Sequence, residues 1–202
     1  MKHIKQTVLV IKFILLATVV YQIYQMTAAG DFSRLESSIA VISLIFAGDI
    51  LKKLGVRTSA IIEIIFLIFL FISSILGSLF HFYEFVDYFD KFAHLLSGIV
   101  TAILGIIMLK KWRIKSKHQL SFDIILMNIL SLAIASAWEI YEFVASKALN
   151  SDLQRVGASG VTDTVHDMIV ALIGSLMVSV MYYAIVRDEK YRKLGIKLAS
   201  LI

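Results

Sequence analysis

Apolar residues in this chain run in long unbroken blocks, and most of the charged residues collect at the block ends and in the short gaps between them. Six blocks are long enough to predict membrane-crossing helices, at about 7–28, 36–51, 59–80, 91–109, 120–146 and 164–186. The second is the shortest, because Glu36 and Asp49 bracket only about 12 apolar or small residues. The longest connection is "NSDLQRVGASG" at 150–160, and no repeat, linker or low-complexity stretch interrupts the pattern. The expected fold class is therefore all-α, a polytopic membrane bundle of six transmembrane helices, with residues 1–202 forming one integral membrane domain.

Composition supports this class. The 202 residues are 59% hydrophobic and 17% charged, too apolar for an ordinary water-soluble domain. The absence of cysteine excludes a disulfide framework and a thiolate metal site. Without proline, any helix break must have another cause.

Charge then sets an orientation. Lys2, Lys5 and Lys12 flank the first block, and Lys52, Lys53 and Arg57 follow the second. Lys110, Lys111, Arg113, Lys115 and Lys117 follow the fourth, and Arg187, Lys190, Arg192, Lys193 and Lys197 follow the sixth. With six crossings, 16 of the 20 basic residues share one side, which the positive-inside bias makes the cytoplasm, along with both termini. The net charge of +5 is thus a topology signal, and nucleic acid is not an expected partner. "MKHIK" and "MTAAG" have the flavour of a signal peptide, but the apolar core between them is long for one, so the first span is expected to be retained. The tail "RDEKYRKLGIKLAS" could lie as an amphipathic helix on the inner surface, and "VGASG" could belong to a lid over the outer face.

The acids have a different distribution from the bases. Asp90 and His94 in "DKFAHLLSG" are i, i+4; Glu139 and Glu142 in "WEIYEF" are i, i+3; Asp163, His166 and Asp167 in "TDTVHDMIVALIGS" are i, i+3, i+4. His81 and Glu84 repeat the i, i+3 relation. All fall at outer block ends. Below them run small or polar residues at helical spacing: Gly98, Thr101 and Gly105; Ala135, Ser131 and Asn128; Ala171 and Gly174. Small residues let membrane helices approach closely, so the acids are expected to head packed seams.

Several carboxylates and imidazoles gathered in low dielectric suit a divalent cation, and mixed N/O donors suit Zn, Mn or Fe. The candidate metal ligands are Asp90, His94, Glu139, Glu142, His166 and Asp167, with Asp163 or Glu84 as the acid–base residue. A metal-bound water would serve hydrolysis of a lipid or lipid-linked envelope substrate. Against this stand plainer explanations: Asp90 and Asp163 as dipole-favoured acids at helix starts, and His94 as interhelical glue. Two other functional classes also compete, an ion- or proton-coupled transporter using the same carboxylates and a non-enzymatic envelope protein. No inner-side counterpart of the acid cluster is expected, and Glu63 is expected to pair with a basic loop residue or to snorkel. The absence of a His-Glu-x-x-His motif argues against a membrane protease.

The ordered motifs "DKFAHLLSG", "WEIYEF" and "TDTVHDMIVALIGS" resemble those of the YjdF-type family of bacterial inner-membrane proteins over about 60–186, and more distantly the VanZ-like family. The resemblance implies a bacterial plasma membrane and a cell-envelope setting, without a reaction. Where VanZ-like chains carry amides, this one has Glu142, His166 and Asp167, a departure that weakens a glycopeptide-resistance role and strengthens a ligand role.

Overall fold

The computed structural model describes residues 2–55, 59–112, 119–149 and 160–187, and all structural statements concern these. The tail after Arg187, most of the "VGASG" stretch and the basic loop at 113–118 lie outside them. The elements are α1 (Lys2–Ala29), α2 (Leu35–Ile45), α3 (Ala47–Lys53), α4 (Ala60–Leu70) with a π-helical continuation (Phe71–Leu79), α5 (Phe82–Phe85), α6 (Phe89–Trp112), α7 (Gln119–Leu149) and α8 (Thr162–Arg187). No strand occurs among the described residues.

Five helices are long and apolar enough to cross a membrane: His3–Ala29, Ala60–Leu79, Phe89–Leu109, Gln119–Ala148 and Thr162–Arg187. The expected second span is instead two short helices meeting at Phe46, where the backbone leaves helical geometry (φ −95°, ψ 3°). The 11 residues of α2 rise about 16 Å, roughly half the hydrocarbon thickness. The third span holds a second irregularity. Over "FISSILGSL" the helix widens to π-helical geometry, and Gly77 leaves the space that the Tyr83 ring occupies. It ends at Leu79, and His81, just before α5, takes the left-handed conformation (φ 64°) rare outside glycine.

The chain forms two compact units, the first closing at Asp90 and the second opening at Lys91, so the boundary passes through the first turn of α6. In the first unit, α1, α2 and α4 pack around Val8, Leu15, Val19, Val41, Ile45, Leu67, Leu70, Ile75 and Leu79. Leu9, Val10, Phe13, Ile14 and Tyr24 on α1 remain exposed, the apolar exterior that lipid requires. At one end of this unit Lys12, buried in mid-helix, pairs with Asp49 (2.6 Å) and Glu63 (2.5 Å). Lys52 reaches the same Glu63 at 2.7 Å. Glu63 therefore does pair with Lys52, as the loop-partner expectation had it, and also with a membrane-helix lysine that expectation omitted. At the other end Arg34 donates to the Ser78 carbonyl (2.6 Å) and pairs with Glu84, whose second oxygen lies 3.2 Å from His81 Nδ1. Burial raises the Glu84 pKa, but the His81 hydrogen bond and the Arg34 charge outweigh it and hold the carboxyl below its ordinary value.

In the second unit α7 buries one straight face at four-residue spacing: Asp123, Met127, Ser131, Ala135 and Glu139. On α8 the buried face is Asp167, Ala171, Gly174, Ser175, Val178 and Ser179. On α6 it includes Ala93, His94, Thr101, Ala102 and Leu109. Backbones of α6 and α8 nearly touch: a Cβ on Gly98 would stand 1.9 Å from the Ala171 carbonyl oxygen, and one on Gly174 would stand 2.2 Å from that of Leu95. At Gly105 the nearest atoms would be 3.4 Å away, ordinary contact.

Two outcomes follow from this packing. Gly98→Ala must force α6 and α8 apart and should lower the thermal unfolding midpoint in detergent sharply, whereas Gly105→Ala should leave it near wild type. The Glu84 contribution should be pH-dependent. A depressed folded-state pKa gives stability that is fully present above the unfolded value and is lost as pH falls through the folded one. Glu84→Gln should therefore cost up to about 1 kcal/mol at neutral pH, the side chain being half exposed, and the gap from wild type should close below about pH 4.

Candidate functional site

Helix direction explains why the motif residues gather at one end of α6, α7 and α8. Asp90 and His94 lie in the first two turns of α6, and Asp163 and Asp167 in the first two turns of α8. Glu139 lies in the last third of α7, which follows α6 and precedes α8 in the up-and-down order. The tight crossing at Gly98 and Gly174 sits one to two turns beyond His94 and Asp167, which brings those two residues to the same level.

There, one donor atom each from Asp90, His94 and Asp167 lies within 4.8 Å of the other two. Asp90 is half-buried and the other two are buried. His94 Nε2 stands 3.8 Å from Asp167 Oδ1 on α8 and 4.0 Å from Glu139 Oε1 on α7. Both separations exceed a hydrogen bond. They are comparable to the spacing between two donors that share one ion at about 2.0–2.2 Å. Two helices thus bring an imidazole and two carboxylates together, and Glu139, only 4% exposed, faces the imidazole from a third.

A lysine organises the margin of this cluster. Lys91 Nζ lies 2.5 Å from Asp163 Oδ1 and 2.7 Å from Asp167 Oδ1, so one ammonium bridges the i, i+4 acids of α8. The spacing of Asp163 and Asp167 was visible in the sequence. That Lys91 lies between them is a tertiary contact that spacing does not reveal.

The remaining candidates fall elsewhere. Glu142 accepts a 2.9 Å hydrogen bond from Trp138 Nε1 on the exposed flank of α7. His166 is exposed and is not among the residues brought together. Asp163 is engaged by Lys91, and Glu84 belongs to the first unit with Arg34 and His81. Beside the cluster, Glu139 also lines an open groove of about 260 Å³ with Ser136, Ile140, Phe143, Thr164 and Met168, whose walls are mostly apolar.

A buried carboxylate also stands at the opposite end of the same unit, on its own and not as a counterpart of the cluster among the described residues. Asp123 is buried, accepting hydrogen bonds from Tyr182 (2.7 Å) and Gln119 (2.6 Å).

Residues 7–188 match a family model described as "Predicted membrane protein (DUF2238)". No curated protein matches the chain. No solved structure matches it either.

Removing the Lys91 charge should expose its structural weight. Lys91→Met leaves Asp163 and Asp167 facing each other without their cation and should cost about 3 kcal/mol, the usual penalty for breaking a buried ion pair. Adding Asp163→Asn should recover part of the loss, which thermal unfolding of the single and double variants in detergent would read directly.

Proposed function

The chain belongs to the DUF2238 family of predicted membrane proteins, and we propose that helices α6, α7 and α8 carry a divalent-cation site acting on a lipid or lipid-linked substrate. The ligands are Asp90, His94 and Asp167, completed by Glu139. The observation that carries the proposal is the position of His94, with its Nε2 between carboxylates of two other helices at ligand-sharing rather than hydrogen-bonding distance. Mixed imidazole and carboxylate donors favour Zn, Mn or Fe over Mg or Ca.

In this reading a cation adds to the compensation that Lys91 provides at the α8 margin of the cluster. The ion supplies a water that ionises near neutral pH, which is the reason hydrolysis is the preferred chemistry. Asp163 is the acid–base candidate beside the cluster, held in place by Lys91. The groove along Glu139 supports a lipid substrate, because its apolar walls accept a hydrocarbon chain while one end meets the carboxylates. The six-span topology, with α2 and α3 together making the second crossing, both termini in the cytoplasm and the cluster at the outer face of a bacterial plasma membrane, completes the proposal. The orientation rests on the basic residues.

Metal analysis of protein purified without chelator tests this. Bound Zn, Mn or Fe near one ion per chain is expected, with a higher unfolding midpoint than after chelation, and His94→Ala should lose both. Absence of metal, together with an unfolding midpoint that none of these ions shifts and that His94→Ala leaves unchanged, would refute it.

A further inference from the structure

The first unit holds a polar recess that the proposed metal site does not use. One wall is built by "AGDFSR", where Gly30 takes the left-handed conformation (φ 68°) and turns the chain out of α1. Asp31 Oδ1 completes the turn by accepting from the Ser33 backbone N–H at 3.0 Å. That bond, above all, holds the Asp31 carboxyl below its ordinary value, so it is charged at neutral pH. The third span contributes Leu79, at the end of the π-helical stretch, and the left-handed His81 follows it. Gln22, Asp31, Arg34 and His81 line a recess of about 40 Å³, with Met26 and Leu79 as its apolar lining. That is room for about three waters, the scale of one small polar group.

The lining offers three acceptors. Glu84, held ionised, can only accept a hydrogen bond. In the neutral His81 ring, Nδ1 faces that carboxylate at 3.2 Å and bears the proton, so Nε2 keeps a lone pair. Among the described residues no hydrogen bond engages the half-buried Gln22 amide, whose oxygen is a second acceptor. Asp31 is the third, and it carries charge. Three acceptors match the three N–H donors of a primary ammonium. Arg34 adds the opposite chemistry. The Ser78 carbonyl and Glu84 take two of its five N–H donors, and the others remain for an anionic oxygen.

Charge and depth then select the ligand. Arg34 balances Glu84, which leaves Asp31 as a net negative charge that disfavours a free phosphate or any other net anion. A simple cation would leave the remaining guanidinium donors unused. A zwitterion with an ammonium a few bonds from a phosphate satisfies both. The first span ends at Ala29 and the third at Leu79, so the recess stands at the membrane surface, where phospholipid headgroups lie. We propose that this recess binds the phosphoethanolamine headgroup of a membrane phospholipid, its ammonium donating to Asp31, Gln22 and His81 and its phosphate accepting from Arg34. Choline has no N–H donor for the three acceptors, and a glycerol headgroup has no cation for Asp31. The recess lies wholly within the first unit, and the assignment does not depend on the metal site.

Native mass spectrometry of the full chain in detergent, titrated with phosphatidylethanolamine, phosphatidylcholine or phosphatidylglycerol of identical acyl chains, provides the test. Phosphatidylethanolamine should bind about tenfold more tightly than either of the others, the worth of one charge-assisted hydrogen bond. Asp31→Asn keeps the oxygen that accepts from Ser33, and with it the turn, but removes the charge and should erase the preference. Glu36→Gln, which changes an exposed carboxylate outside the recess, should keep it. Gln22→Leu, a substitution within α1, should also weaken phosphatidylethanolamine binding and serves if Asp31→Asn fails to fold. Soluble O-phosphoethanolamine should compete only at far higher concentration than the lipid; equal affinity would overturn the lipid as the source of the group. The proposal is also overturned if the three lipids bind alike, or if folded Asp31→Asn or Gln22→Leu retains the full preference.

Discussion

An ionised side chain within a hydrocarbon layer must find its compensation inside the protein, and the polar architecture of this chain follows from that constraint. In the first unit it draws Lys12 from the middle of a membrane helix onto Asp49 and Glu63, with Lys52 closing the group from the end of α3. In the second it places Lys91 across Asp163 and Asp167. Asp123 has a different solution, accepting hydrogen bonds from a tyrosine hydroxyl and an amide. In the carboxylate–imidazole cluster, His94 faces Asp167 and Glu139 from neighbouring helices, and the proposed metal ion would join them.

Close backbone approach is the second requirement, because the cluster draws on three helices. Apolar side chains give membrane helices no hydrophobic reason to associate, so contact must come from van der Waals packing and hydrogen bonds. Gly98 and Gly174 meet this need by letting α6 and α8 touch backbone to carbonyl. Without that approach Asp167 would stand several ångströms farther from His94, and the shared ground between the donors would be gone. The groove beside Glu139 adds an opening along α7 and α8, so a buried polar site and an apolar channel edge meet at a single carboxylate.

The sequence made much of this visible through spacing. The i, i+4 relation of Asp90 and His94, the descending Gly98 and Thr101, and the Asp167–Ala171–Gly174 face all correspond to buried faces of α6 and α8, because helical periodicity is a local property. Tertiary partnerships were not visible. Lys12 reads as a topology charge, since nothing in its neighbours, or in those of Lys91, reveals an acid brought from another helix. Glu142 and His166 share their motifs' spacing with residues of the cluster, yet Glu142 stands about 60° round α7 from Glu139 and meets Trp138, and His166 stands about 100° round α8 from Asp167 and is exposed. The break at Phe46 and the π-helical stretch over Phe71–Leu79 had no proline to announce them. Both arise where small or polar residues weaken the regular ladder and side chains such as Tyr83 claim the space.

The central claim is that His94 shares an ion with carboxylates from neighbouring helices. X-ray absorption at the edge of a bound Zn ion, in protein loaded with one equivalent in detergent, measures that coordination shell directly. The account predicts one imidazole nitrogen with carboxylate oxygens at about 2.0–2.2 Å, and loss of the imidazole signature in His94→Gln. A shell of oxygen alone, unchanged by the His94 substitution, would contradict it.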